Sequence, residues 1–351
     1  MKNLLIKGEN LEALKLLLEE RGLEGSIDLV YIDPPFATGT DFKVSLNRSS
    51  TVSSANGGSL AYSDKIKGSE FIEFLRERLI LLKRLLSERG SIYLHTDCKI
   101  GHYVKVMMDE VFGIENFRND ISRIKCNPKN FNRTGFSNIK DMILFYSKAK
   151  NPIWNEPRQD YSEKDKEKLF PKTDSQGRRY TTVPIHAPGE TKNGRSSQEF
   201  KGMKPPAGRH WRVDVQTLES WDEQGLLEWS SNGNPRKIIY ADEKDGKRVQ
   251  DIWEFKDPQY PTYPTEKNSK MLEMIIKTSS LKNSTVLDCF CGSGSTLRAA
   301  EKLGRSWIGI DSSPQAIETA QKNLREDSSS TALFDSCSMY EMLDISEQSM
   351  V

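Results

Sequence analysis

Two short stretches combine residue types that could do chemistry. The first is Asp33-Pro34-Pro35-Phe36, which closes the apolar run IDLVYID. Its two prolines fix φ and remove two backbone donors. The chain there offers carbonyl acceptors, one carboxylate and an aromatic face. Such a set fits a planar group that carries an amino function: Asp33 and a backbone carbonyl each accept one N–H, and Phe36 stacks on the ring. Asp-Pro is also an ordinary turn pair, so a plain strand-ending loop stays open as a reading.

The second stretch is Asp288-Cys289-Phe290-Cys291-Gly292-Ser293-Gly294-Ser295-Thr296, followed after a helix by Ile310-Asp311. Strand, Gly-rich turn, helix and acid-ending strand is the outline of a dinucleotide-binding unit. The glycines let backbone approach a ligand closely, and Asp311 can hold ribose hydroxyls. A phosphate cradle would need a third glycine, but Gly294 is followed by Ser295, Thr296 and Leu297. That departure, with the acid at Asp288, favours a nucleoside that carries a cationic or amino-acid end. A ligand-free packing turn is the alternative.

Positioning these motifs requires strands that end where they begin. Residues 3–6 and 27–33 read as strands, the second buried and stopped by the prolines. Residues 11–20, 71–88 and 102–113 have apolar residues at helical spacing, with Gly90 and Gly113 as stops. Residues 91–97, 117–125 and 141–148 read as strands. The first 150 residues therefore suggest a mostly parallel sheet with an antiparallel end. Residues 37–69, rich in Ser, Thr and Gly, read as a long mobile loop. From 151 to 260 periodicity is poor, and 226–241 fits short strands around an NGNP turn. This region reads as an insertion whose small core is built on Trp221, Trp229 and Trp253. Helix and strand alternate again from 268 to 326, and a polar tail follows. The expected division is 1–150, 151–260, 261–327 and a tail over 328–351.

Composition narrows the class. A chain of 351 residues with 36% hydrophobic and 29% charged residues is globular, not disordered or collagen-like. No stretch approaches the ~18 consecutive apolar residues of a membrane span. The N-terminus has an acid within ten residues and no long apolar core, unlike a signal peptide. Five cysteines without a CxxC pair point to free thiols in a reducing cytoplasm. Net charge is only +1, but basic residues gather between Arg118 and Lys140 and between Lys172 and Arg212. Such bunching is what a polyanion-binding face produces, and also what two solvated loops produce. KGMKPPAGRHWR (201–212) combines Lys, Arg, His and Trp, a set for phosphate contacts and base-edge readout. His95 reads as a structural histidine.

Together the motifs resemble the amino-methyltransferase family that modifies exocyclic amines of DNA bases with S-adenosylmethionine. Asp33-Pro34-Pro35-Phe36 is similar to its D/N/S-P-P-Y/F/W catalytic motif, and Phe290 to Gly294 to its F-x-G-x-G cofactor motif. Tyr263-Pro264-Thr265-Glu266-Lys267 looks like the segment that precedes the cofactor motif. The resemblance covers most of the chain. It implies an α/β fold: a circularly permuted Rossmann-like methyltransferase sheet, in β order, with an inserted target-recognition region. It implies catalytic Asp33, Pro34, Pro35 and Phe36, and cofactor contacts from Thr265, Lys267, Asp288, Phe290, Gly292, Ser293, Gly294 and Asp311. Glu9 falls where the family often has Asp, near the cofactor's adenine. No metal is required. The implied reaction moves a methyl group from S-adenosyl-L-methionine to N6 of an adenine flipped out of double-stranded DNA. The nearest rival is a cytosine-N4 enzyme, which more often carries Ser in place of Asp33. An RNA or protein amide methyltransferase would more often carry Asn there. A nicotinamide oxidoreductase would leave Asp33-Pro34-Pro35-Phe36 without a purpose, and a catalytically silent DNA-binding module is the remaining rival. The resemblance further implies a restriction-modification setting, with a restriction partner and a homodimer as candidate assemblies.

Overall fold

The computed structural model of this chain describes residues 2–35, 41–43, 60–63, 69–128, 134–191, 194–258, 266–329 and 340–346. Phe36, Tyr263, Pro264, Thr265 and nearly all of the expected mobile loop lie outside the described residues; within that loop, Asp41–Lys43 and Leu60–Ser63 pair antiparallel. The chain divides into two compact units, Met1–Pro157 with Gln250–Val351, and Arg158–Val249.

The first unit is built on a nine-stranded sheet. In chain order its strands are β1 (Asn3–Lys7), β2 (Ile27–Ile32), β3 (Leu86–Thr96), β4 (Phe117–Ile124), β5 (Lys140–Ser147), β6 (Ile252–Trp253), β7 (Thr285–Asp288), β8 (Ser306–Asp311) and β9 (Tyr340–Asp344). Across the sheet they run β6-β4-β5-β3-β2-β7-β8-β1-β9. Every neighbouring pair is parallel except those made by β5, which opposes both β3 and β4. The reversal therefore sits inside the sheet, because β6 adds a parallel edge beyond β4. Its helices are α1 (Asn10–Glu19), α2 (Ser69–Leu85), α3 (Gly101–Phe112), α4 (Ser269–Ser279), α5 (Ser295–Lys302) and α6 (Pro314–Ser329).

Side chains of a strand alternate between faces. Leu4, Ile6, Val30 and Ile32 join one apolar cluster with Leu14 and Leu17 of α1, Leu75 and Leu79 of α2 and Val104 and Met108 of α3. The alternate residues Leu5, Leu29 and Tyr31 are buried too. Burial on both faces is why IDLVYI reads as one continuous apolar run.

Several expectations change here. Helix α2 ends at Leu85, not Gly90, and passes directly into β3. A Cβ at Gly90 would lie 2.9 Å from the carbonyl of Ile27, so this glycine serves strand packing. The polar tail contains β9, paired along β1 from Asn3 to Lys7. Residues 151–157 and 250–258 belong to the first unit: Ile153 N donates to Arg89 O, Asn155 N to Thr278 O, and β6 pairs with β4. These pieces are too short for periodicity to reveal. Among the described residues, no helix is long and apolar enough to cross a membrane. Cys98, Cys126, Cys289 and Cys291 are free thiols.

The second unit holds a four-stranded antiparallel sheet ordered Leu227–Trp229, Pro235–Tyr240, Arg179–Pro184, Lys172–Thr173. A separate hairpin pairs His186–Pro188 with Arg209–Trp211. Its core is Ile185, Phe200, Trp211, Val215 and Leu218, with Trp221 partly buried against it. Trp211, expected at a DNA face, is 1% exposed and so is a core residue. Trp229 is 41% exposed and stacked on Phe200, while Trp253 belongs to β6 of the first unit.

Candidate active site

Strands β2, β7 and β8 are adjacent and parallel, so their carboxyl ends share one edge. Asp33 follows β2, Asp288 ends β7 and Asp311 ends β8. Three carboxylates thus meet where open α/β sheets bind ligands. Asp33 Oδ2 is 2.7 Å from Nζ of Lys267, and both side chains are largely buried. Its other oxygen, Oδ1, is buried without a hydrogen-bond partner among the described residues. An unmet buried acceptor costs about 1–3 kcal/mol, so its persistence marks a place for a donor. Pro34 is buried beside it and Pro35 half-buried.

The turn after β7 is held from several sides. Phe290 N donates to Asp288 Oδ1 at 3.0 Å, and Thr296 adds a side-chain hydrogen bond to the same carboxyl. Gly292 N donates to Asp311 Oδ2 and Ser313 N to Asp311 Oδ1, both at 2.9 Å. Asn323 of α6 donates to the carbonyl of Ser293 at 3.0 Å. Gly294 has φ 79 and starts α5; a Cβ there would stand 3.1 Å from Ala320 Cβ. Both conditions explain a glycine at this position. The Phe290 ring packs near Phe74 of α2, at 6.2 Å between centroids. Burial pushes Asp288 up to about 7, and the charges of Asp33 and Asp311 add to the rise. Burial also raises Asp311.

A second network braces this edge. Asn10 Nδ2 donates to Cys289 O at 3.0 Å, and Arg78 Nε donates to Asn10 Oδ1 at 2.6 Å. Arg78 also pairs with Glu9, whose carboxylate caps α1 by accepting from Leu11 N and Glu12 N. Glu9 is thus committed to α1 and Arg78. None of Asn10, Arg78 and Asn323 was singled out from the sequence. An Asn directly after a helix cap is the one local signal, and it says nothing of a partner 279 residues away.

His95 lies fully buried on β3. Burial and then the Lys267 charge push it below its ordinary pKa, against the pull of Asp141. Asp141, although buried, is held below the usual carboxylate range by His95 and Lys125. Asp141 therefore accepts, His95 Nε2 donates to it at 3.2 Å, and Nδ1 accepts from Tyr31 OH at 3.0 Å. Lys125 Nζ pairs with Asp141 at 2.6 Å, and buried Arg123 pairs with Asp257. Arg118 is spent on Ser147 and on the carbonyls of Ala149 and Lys150. Arg118, Arg123 and Lys125 of the first basic stretch are thus engaged by groups of the protein itself, and Arg123 is fully buried.

In the second unit, Lys172, Arg178, Lys201 and Lys204 pair with local carboxylates. Arg209 and Arg212 are exposed and make no carboxylate pair among the described residues. Arg209 Nη1 lies 3.1 Å from His186 Nδ1, and Arg212 Nε donates to His186 O. Burial, then Arg209, Arg212 and Arg236, push His186 below its ordinary value.

The N6/N4 DNA methylase family model matches residues 27–322, and the chain belongs to that family. It is 41% identical over 300 residues to the type II methyltransferase M.EcaI of Enterobacter cloacae, covering 84% of this chain and 64% of that protein. It is 26% identical over 337 residues to the Mod subunit of the type III restriction-modification enzyme StyLTI of Salmonella typhimurium, covering 86% of this chain and 50% of that one. The chain therefore spans about half to two thirds of these relatives' lengths. Its fold is similar to a candidate DNA modification methylase of Thermus thermophilus crystallised with S-adenosyl-L-methionine. The TM-score is 0.50 at 14% identity, over 97% of this chain and 98% of that one.

Proposed function

We propose that the protein transfers a methyl group from S-adenosyl-L-methionine to the N6 amino group of an adenine flipped out of double-stranded DNA. The observation that carries this reading is Asp33 Oδ1, a buried acceptor without a partner among the described residues, in the residue just before Pro34. An exocyclic amine is a poor nucleophile because its lone pair is delocalised into the ring. Asp33 and the Pro34 carbonyl accept its two N–H groups, draw the nitrogen toward a tetrahedral shape and face its growing positive charge. Phe36 stacks on the base.

The donor set fits the proposed cofactor. Asp288 is buried and Asp311 half-buried, the pKa values of both carboxyls are raised, and a cationic ligand relieves that arrangement. Asp288 would face the ligand's cationic end and Asp311 its ribose, with Gly292 to Gly294 as the close-approach backbone. When bound, the cofactor supplies a methyl group already activated on a sulfonium, so the protein's task is alignment. The relatives' names support a restriction-modification setting, and Arg209 and Arg212 with the rest of 158–249 are proposed to read DNA. The chain order, catalytic stretch first, is read as a circular permutation; β1 lying between β8 and β9 supports it.

The test is transfer of labelled methyl from S-adenosylmethionine to duplex DNA, followed by nucleoside analysis. N6-methyladenine is expected. N4-methylcytosine as the sole product would overturn the adenine assignment, and no transfer with DNA binding retained would leave only a binding module.

A further inference from the structure

The two oxygens of Asp33 are in different states. Oδ2 takes the Lys267 ammonium at 2.7 Å, with the two side chains only 15% and 9% exposed. Oδ1 is buried and without a partner among the described residues. We infer that Lys267 is a positioning residue for methyl transfer: its ammonium pins Oδ2, so that Oδ1 is fixed in advance as the acceptor for the amine of the target base. The inference rests on the reading of Asp33 as that acceptor. The resemblance assigned Lys267 to the cofactor; the ion pair assigns its charge to the catalytic side chain.

Three physical points carry this. A free aspartate turns about its last torsion and offers either oxygen. One charge-assisted bond at 2.7 Å removes that freedom before the base arrives. Asp33 stands among carboxyls that repel one another, and Lys267 gives it a counter-charge at hydrogen-bond distance. The neighbouring groups register how crowded the place is: Lys267 and Asp33 act with opposite sign on buried His95, and Asp33 raises both Tyr31 and Asp288. Alignment of the reacting groups is the main contribution asked of this protein, so a loosened carboxylate loses rate and not affinity.

Single-turnover methylation of duplex DNA by Lys267→Met, Lys267→Arg, Asp33→Asn and the Lys267→Met/Asp33→Asn double variant tests it, with cofactor and DNA titrations of each. Lys267→Met is expected to be slower by about 10²-fold, the scale of a small misplacement. Its cofactor and DNA affinities stay within about twofold, well inside one factor of ten. Lys267→Arg, which keeps the charge, recovers most of the rate. The double variant is no slower than Asp33→Asn, because Lys267 acts through Asp33. Full rate in Lys267→Met with Asp33→Asn inactive overturns the inference and leaves the Asp33 reading standing. Lost cofactor binding in Lys267→Met makes it a cofactor ligand and likewise overturns it. Near-normal turnover in Asp33→Asn sinks the underlying reading instead. Should Lys267→Met melt early, the Arg variant decides: a folded Lys267→Arg protein without recovered rate also overturns the inference.

Discussion

Asp33 follows β2, and the proposed reaction asks it for one preorganised contact. Asp33→Ala is expected to lower single-turnover methylation by about 10²–10³, or about 2.7–4 kcal/mol. Cofactor affinity should hold, because the cofactor turn hangs on β7 and β8. Asp288 makes a different prediction. Its pKa rises from 3.8 to about 7 on folding, so its neutral form favours the fold at low pH, and that contribution is lost as pH rises through 7. A cationic ligand needs the charged form. Cofactor affinity should therefore weaken as pH falls from 8 to 6, by up to about tenfold, and Asp288→Asn should flatten the dependence. Calorimetric titration at several pH values reads both; a flat profile in the unmodified protein removes Asp288 from the ligand's charged end. Asp33, Asp288 and Asp311 were legible because each stands at the end of an apolar run. Arg123 and Lys125 were misread as surface charge because their partners, Asp257 and Asp141, come from other parts of the chain.

Elements were legible wherever they are long and periodic, as in α2, α3 and α4. The short strands β6 and β9 were not: β6 has only two residues, and YEMLD of β9 lacks the apolar run that marks β1 and β7. Two predictions belong at this scale. Gly309 lies in β8 under α5, where an added Cβ would overlap Leu297 and approach Cys291 Sγ to 3.3 Å. Gly309→Ala should destabilise by about 1–3 kcal/mol through overpacking, seen as a lower urea midpoint with an unchanged slope. Arg78 ties α2 to α1 and, through Asn10, to the turn after β7. Arg78→Met should cost about 1–3 kcal/mol for the acceptors left unmet. It should also weaken cofactor binding, because Cys289 O then loses its fixed donor. Unaltered melting and cofactor affinity would show that the brace carries neither.

At the scale of the molecule, two compact units divide the work proposed for them, and the division itself was legible as a loss of periodicity near residue 151. Its borders were not, because the chain runs back into the sheet through β6. Replacing Arg209 or Arg212 by Ala should weaken DNA binding at all sequences alike and reduce the salt slope by about one per phosphate contact. Loss of discrimination at a single base position would instead make that arginine a base reader, and no change in either quantity would leave it a solvated side chain. The order of strands in the sheet also bears on how the protein is made. β1 is flanked by β8 and β9, and the Asn3 side chain accepts from Trp307 N across 304 residues. β1 thus leaves the ribosome well before the two strands it pairs with, and meets them after a loop closure that opposes early pairing. A nascent chain halted before Ser284 has made Asp33 but not the Cys289 carbonyl that Asn10 holds. Competence to bind the cofactor then arrives only once β7 and the turn after it are made, and a chain halted earlier has no cofactor turn with which to engage it.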